Sequence, residues 1–416
     1  MRILVVSNLY PPVVRGGYEV ECSAVVDRLR ERHEVTVLTS SLQRGGSPPE
    51  SHVQRALTLV TGDERGSLRA PLAALGAVGV VRRVLDETQP DLVYVWNASQ
   101  LPHAGLRVIA DAGVPVAVRV CEQWFGRLFV GDQFMRELLS APRGPARTAW
   151  ALACRVFNRL PALRLDPMAS VPLAISWNSE AIRRMAGLAP MVVPVLERVG
   201  HSVPRHGDLY AAVVRDPAPE SEIVFIGRVT PFKGVSVAIE ALALLRSEHA
   251  IEASLIVIGP EDADHGLELR RLAERLGVSG AVRWHGLAAP EEIAGVFAHA
   301  HALIVPSTWD EPFPLVTIEG ALARVPLVAS DVGGIAEGMH NEEHALLFPR
   351  GSAELAAAAL ARTLRESGST AARVERAHAR AQQFRLGPYL DAQERFVADA
   401  HAALTVPPPA RSTVRE

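Results

Sequence analysis

The chain has 416 residues, 48% of them hydrophobic and 21% charged, which is enough for two ordinary cores, and its formal net charge of −3 gives no positive field for coating nucleic acid. Three cysteines, Cys22, Cys121 and Cys154, are too few and too scattered for a disulfide framework or a zinc site, which points to a reducing, cytoplasmic compartment. Met1 to Ser7 lacks a signal-peptide pattern and no uninterrupted 18-residue apolar run occurs, so no membrane span is expected.

Along the chain, short β-branched runs at Arg2–Ser7, Glu34–Thr39, Asp91–Trp96, Pro115–Cys121 and Val171–Ser176 read as buried parallel strands. The stretches between them, such as Glu19–Arg32 and Leu72–Thr88, have the length of right-handed crossover helices. A second series follows at Ile223–Gly227, Ser254–Gly259, Val282–His285, Ala302–Pro306, Pro326–Ser330 and Ala345–Phe348. The fold class is therefore α/β with two Rossmann-like doubly wound domains, the first over residues 1–200 and the second over 222–387. Residues 201–221, polar and carrying Pro204, Pro217 and Pro219, are expected to be the hinge, 388–405 a final helix that in folds of this kind often returns to the first domain, and 406–416 a loose tail.

Residues 124–166 fit the alternation badly, with seven arginines against three acids and six interleaved aromatic residues. Two readings stand: a basic amphipathic lid touching anionic lipid at the inner membrane face, or a helical insertion that buries its aromatics and solvates its arginines.

Lysine and arginine total 43, yet only Lys233 is lysine. So strong a bias marks the one place where a compact ammonium on a flexible stem is needed. Lys233 lies in Gly227-Arg228-Val229-Thr230-Pro231-Phe232-Lys233-Gly234, between a strand end and the amphipathic stretch Val235–Arg246. Helix-start amides, an arginine fork and an ammonium suit a diphosphate, and the glycine pattern is not that of a Walker loop. The string Pro306-Ser307-Thr308-Trp309-Asp310-Glu311-Pro312-Phe313-Pro314-Leu315-Val316-Thr317-Ile318-Glu319 then joins a strand to the next helix. Its two glutamates can accept from sugar and ribose hydroxyls, and Leu315 and Val316 can offer first-turn amides.

Gly227-Arg228…Lys233-Gly234, Pro306-Ser307, Glu311-x7-Glu319, Pro326 and Ser330…Gly333-Gly334…Glu337 resemble the ordered signature of glycosyltransferase family 4, the group 1 retaining transferases with the GT-B fold. Ser7-Asn8-Leu9-Tyr10-Pro11-Pro12…Gly16-Gly17 resembles the first glycine loop of that family, so the likeness spans about residues 1–390. The resemblance implies two Rossmann-like domains facing across a cleft. It also implies that Arg228 and Lys233 neutralise a donor diphosphate, Glu319 holds the ribose and Glu311 a hydroxyl of the transferred sugar. Gly227, Phe313 and the amides of Leu315 and Val316 would complete the donor site, with Gly16 and Gly17 approaching from the other domain. Arg228, Lys233 and Glu311 are the expected catalytic residues, in a hexose transfer to a hydroxyl of a lipid-linked, polysaccharide or small-molecule acceptor, with the nucleotide sugar as co-substrate and no further cofactor.

The pattern departs from the family at three places. Cys121 stands where the family carries a sugar-contacting histidine, which shifts sugar or acceptor contact to Cys121 itself or to Glu122. Gly320 replaces the usual alanine and Arg324 the usual glycine. Asp262-Ala263-Asp264 resembles a metal-binding Asp-x-Asp but is read as a polar loop, so no metal is expected. A nucleotide-sugar epimerase or a catalytically weak nucleotide-sugar-binding protein of the same fold is the alternative, and a dehydrogenase is excluded by the lack of Gly-x-Gly-x-x-Gly after the first strand. Nucleobase contacts are expected from backbone near Trp284–Leu287. The sequence does not specify the base, the acceptor or the oligomeric state.

Overall fold

Runs such as Ile3-Leu4-Val5-Val6 and Leu92-Val93-Tyr94-Val95 have no polar alternation, so a strand made from them is stable only with both faces covered. The computed structural model describes residues 1–42, 50–60, 69–122, 124–127, 148, 171–186 and 194–405. They fall into two units, one from the described parts of Met1–Asn178, Ile182–Gly200 and Leu390–Glu416, the other from Ser179–Ala181 and His201–Tyr389.

In the first unit β1 (Arg2–Val6), β2 (Glu34–Ser40), β3 (Val53–Leu57), β4 (Leu92–Val95), β5 (Val116–Val120), β6 (Leu173–Trp177) and β7 (Leu196–Val199) form one parallel sheet in the order β3-β2-β1-β4-β5-β6-β7. Val5 pairs with Val37 on one side and Tyr94 on the other. Helices Gly17–Arg30, Arg69–Thr88 and His103–Asp111 make crossovers. The central strands are buried along almost their whole length, in one apolar cluster that takes in Leu4, Val6, Val93, Val95, Val118 and Trp177. Arg119, fully buried on β5, donates to Glu21 at 2.9 Å and to Ser176 at 3.0 Å, which compensates its charge inside that core.

The second unit repeats the plan with β8 (Ser221–Ile226), β9 (Ala253–Ile258), β10 (Val282–Gly286), β11 (Ala302–Val305), β12 (Leu327–Ser330) and β13 (Leu346–Phe348), parallel in the order β10-β9-β8-β11-β12-β13. Its core is separate and includes Ile223, Phe225, Leu255, Ile304 and Val328. The two doubly wound α/β domains expected from the sequence are present.

Two strands lay outside that expectation. β3 (Val-Gln-Arg-Ala-Leu) and β7 (Leu-Glu-Arg-Val) are edge strands, half-exposed and too polar to show as apolar runs. Residues 201–221, read as a linker, lie with the second unit and carry the helix Gly207–Ala211, whose Tyr210 meets Phe297 edge-on at 5.6 Å. The final helix, Leu386–Thr405, groups with the first unit from Leu390 onward: Tyr94 donates to Gln393 at 2.9 Å, and Arg28 pairs with Asp391 at 2.6 Å and Glu394 at 3.1 Å.

Of residues 124–166 only 124–127 and 148 are described; Trp124 and Phe125 are buried, with Phe125 edge-on to Trp177 at 5.6 Å, and the lid and insertion readings otherwise lie outside the described residues. So do Cys154 and the tail 406–416. Among the described residues no helix is long and apolar enough to cross a membrane.

Candidate active site

In the all-parallel order β10-β9-β8-β11 the strand order reverses between β8 and β11, and ligands of doubly wound sheets bind outside the carboxyl ends at such a point. The two loops that leave these strands are the Gly227–Gly234 turn and the Pro306–Pro314 string. They are tied together by the Thr308 amide, which donates to the Phe232 carbonyl at 2.9 Å. Gly234 sits at φ 72°, where a Cβ would lie 1.9 Å from the Pro306 carbonyl oxygen, so only glycine lets the loops meet this closely. On the other flank the Gly334 amide donates to the Glu311 carbonyl at 2.7 Å, and a Cβ at Gly333 would come within 2.2 Å of the same oxygen. The glycine pair after β12 therefore holds the backbone that presents Glu311.

That backbone brings Glu311 to the sole lysine. Lys233 Nζ donates to Glu311 Oε1 at 2.6 Å, and the Ser307 hydroxyl donates to the same oxygen. Glu311 is 2% exposed, so the ammonium and the hydroxyl are what compensate a buried carboxylate. Ser307 was not singled out as a site residue; nothing in residue spacing tells which way a serine four positions before a glutamate turns. Phe232 and Trp309 pack at 5.3 Å between centroids, with Arg228 5.8 Å from the Phe232 ring and Lys233 5.8 Å from the Trp309 ring. Arg228 is exposed and makes no ion pair among the described residues. Thr230 Oγ1, Trp309 Nε1 and Ser330 Oγ, at the carboxyl ends of β8, β11 and β12, are buried polar atoms without a hydrogen-bond partner among the described residues.

The helix Leu315–Leu322 begins at Pro314, and Leu315 and Val316 hold its first two positions, where helical amides have no intrahelical acceptor. Glu319 lies one turn further in, half-buried, and burial pushes its carboxyl up to about 7. The Phe313 ring is buried, 4.7 Å from His201 and 5.4 Å from Phe384, against which it packs. Glu337 accepts from the amides of Glu180 and Ala181 and from His201 Nε2 at 3.2 Å. Burial raises its carboxyl, and these hydrogen bonds outweigh that and hold it below the ordinary range. It is a structural anchor of the motif.

Of two departures from the family pattern, Gly320 has a steric reason here and Arg324 has none. A Cβ at Gly320 would come within 2.4 Å of Leu303 Cδ2, a buried side chain of β11, and Arg324 adopts φ 55°, the left-handed conformation in which glycine costs least. Arg324 is held by Glu375 at 3.0 Å.

In the first unit the reversal lies between β1 and β4, and the loops that leave them meet through Asn8, which donates to Asn97 at 3.0 Å and Ser99 at 2.9 Å. Gly16 is extended, and a Cβ there would find only Glu19 Oε2 at 3.9 Å, so the fold itself leaves the position open to a side chain. Gly17 opens the helix Gly17–Arg30, and Glu19 accepts from the Gly16 amide at 2.8 Å; burial raises its carboxyl, with the amides of Gly16 and Arg15 pulling the other way. Cys121 follows β5, 6% exposed, and burial raises its thiol far above the ordinary range, which rules out a ready thiolate. Glu122 beside it is half-buried.

Asp262 caps the helix Ala263–Arg275, accepting from the amides of Asp264 and His265. His340, Glu343 and His344, in the loop that enters β13 at the opposite edge of the sheet from Lys233, bring three ligating atoms within 4.8 Å of one another. His344 Nδ1 accepts from the His340 amide at 3.1 Å, which leaves its proton on Nε2, 3.6 Å from Glu343. The neutral ring then has no lone pair to give a cation.

Residues 211–381 match the family model of the glycosyl transferases, group 1. The D-inositol 3-phosphate glycosyltransferase of Corynebacterium jeikeium is 36% identical over 129 residues, 30% of this chain and 30% of the relative. That of Rhodococcus jostii is 33% identical over 189 residues, 43% of this chain and 41% of the relative. The matched stretches span less than half the length of these relatives. Solved structures agree over nearly the whole chain. Anabaena HepE in complex with UDP and glucose has a TM-score of 0.65 at 21% identity, covering 96% of this chain and 100% of that one. Sucrose-phosphate synthase from Thermosynechococcus elongatus has 0.68 at 18%, covering 96% and 99%. The glycosyltransferase WaaG, involved in lipopolysaccharide biosynthesis, has 0.65 at 15%, covering 95% and 99%. These likenesses show the fold, the two Rossmann-like domains of the GT-B class.

Proposed function

We propose that the protein is a retaining, metal-independent glycosyltransferase of family 4 that moves a hexose-type sugar from a nucleoside diphosphate donor to a hydroxyl acceptor. The observation that carries this reading is the pairing of the only lysine with a buried glutamate at the strand reversal of the unit that matches the group 1 model. Arg228 and Lys233 supply the two positive charges that a diphosphate needs, beside the first-turn amides of Leu315 and Val316. Glu319 takes the ribose hydroxyls and Glu311 a hydroxyl of the sugar. The bond between the anomeric carbon and the diphosphate oxygen breaks with its electron pair going to the phosphate, which the two cations stabilise. The acceptor oxygen bonds to the same carbon from the same face and passes its proton to the departing phosphate oxygen. Relatives named for glycosyl transfer, and a structural neighbour in complex with UDP, support the donor class.

Because the leaving charge is met by side chains, turnover should persist in EDTA; loss on chelation with recovery on adding magnesium or manganese would contradict this. The direct test is release of nucleoside diphosphate from UDP-, GDP-, ADP- and TDP-glucose, with and without candidate acceptors. One donor should be consumed, and Lys233→Ala should slow its consumption on the order of 100-fold. Equal turnover by the variant would remove Lys233 from the chemistry.

A further inference from the structure

We infer that the Lys233–Glu311 pair is exchanged during the catalytic cycle, so that a donor takes Lys233 from Glu311 and Glu311 takes it back to expel the nucleoside diphosphate. The inference rests on the donor-site reading above. Glu311 Oε1 receives both the ammonium, at 2.6 Å, and the Ser307 hydroxyl, and the residue is 2% exposed. The two cations of the site are therefore not equivalent. Arg228 is exposed and makes no ion pair among the described residues, whereas Lys233 is already committed to a carboxylate. A diphosphate can engage Arg228 without breaking anything, but it gains Lys233 only by leaving Glu311 with a single hydroxyl.

A buried carboxylate stripped of its ammonium is costly unless another donor replaces it. A hydroxyl of the transferred sugar beside the diphosphate is such a donor, whereas the nucleoside diphosphate alone has only ribose hydroxyls, which go to Glu319. The pair thus makes the site favour the intact donor over the spent nucleotide. Once the sugar has left, Glu311 is again held by the Ser307 hydroxyl alone, and its recapture of Lys233 weakens the hold on the product. Glu311 then has two roles, contact with the sugar and ejection of the nucleotide, and the second can be measured without any acceptor.

The experiment is calorimetric titration of the full chain with UDP, GDP, ADP and TDP, in wild type, Glu311→Gln, Lys233→Ala and the double variant. Glutamine keeps the shape but releases the ammonium, so Glu311→Gln should bind the preferred nucleotide tighter on the order of 10-fold, the worth of one charged hydrogen bond. In the Lys233→Ala background the same change should bring no gain, since there is no lysine left to release. Equal or weaker binding by a Glu311→Gln protein with an unchanged melting temperature overturns the exchange. If Lys233→Ala still weakens binding in that case, the diphosphate assignment stands by itself. Binding of none of the four nucleotides by wild type overturns the donor site and the exchange together. Should Glu311→Gln fail to fold, Ser307→Ala serves instead: it removes the one partner that Glu311 keeps when Lys233 departs, so the nucleotide should bind several-fold more weakly, and unchanged affinity overturns the exchange.

Discussion

Glu319 is where residue chemistry makes a claim about pH. Burial holds its carboxyl near 7, above the ordinary value of 4.5, so the fold favours the protonated form. A raised group of this kind contributes stability that is complete below its unfolded value and lost as pH rises through the folded one. Glu319→Gln should therefore match wild type at pH 4.5, and exceed it in melting temperature at pH 8. A gap that is the same at both pH values would remove the burial argument. On the proposed function the same variant should bind the nucleoside diphosphate more weakly, since the carboxylate proposed to take the ribose hydroxyls is gone. Residue identities in the sequence marked Arg228, Lys233, Glu311 and Glu319 because each stands in a spaced string. The hydrogen bond from Ser307 to Glu311, the Phe232–Trp309 pair and the raised carboxyl of Glu319 were not legible, since each depends on which neighbours close around it.

At the scale of elements, the site is two loops pressed together after β8 and β11, and Gly234 is the contact that sets their distance. Two glycines of the second unit separate conformational strain from clash. Gly234 and Gly277 have nearly the same φ, 72° and 70°, but a Cβ at Gly277 meets nothing within 4 Å. Gly277→Ala should cost about 1 kcal/mol, and Gly234→Ala about 3 kcal/mol, because overpacking against the Pro306 carbonyl adds to the strain. Denaturant unfolding measures both; equal losses would mean that the loops separate easily. The apolar, β-branched strands were legible because buried parallel strands leave a continuous signal, whereas β3 and β7 were not, because edge strands carry polar residues. The hinge assigned to 201–221 was drawn from prolines, yet a short helix anchored by Tyr210 on Phe297 lies there, and five residues are too few to show a helical period.

For the molecule as a whole, the repeat of one sheet order in two units, each with its own core, is what the alternation of strand and helix signals dictates. The class of chemistry follows from what lies at the reversal of the second sheet: one lysine, one exposed arginine, two glutamates and a helix start. The central claim is that this edge binds a nucleoside diphosphate. A ligand that binds only the folded state raises its melting temperature by mass action, by RT ln(1 + [L]/Kd) in free energy. The most direct measurement is a thermal-shift panel of UDP, GDP, ADP and TDP against wild type and Arg228→Ala, in EDTA. One nucleotide should raise the wild-type melting temperature clearly above the other three, and Arg228→Ala should lose most of that rise. No shift with any nucleotide, or a shift undiminished in Arg228→Ala, would contradict the account.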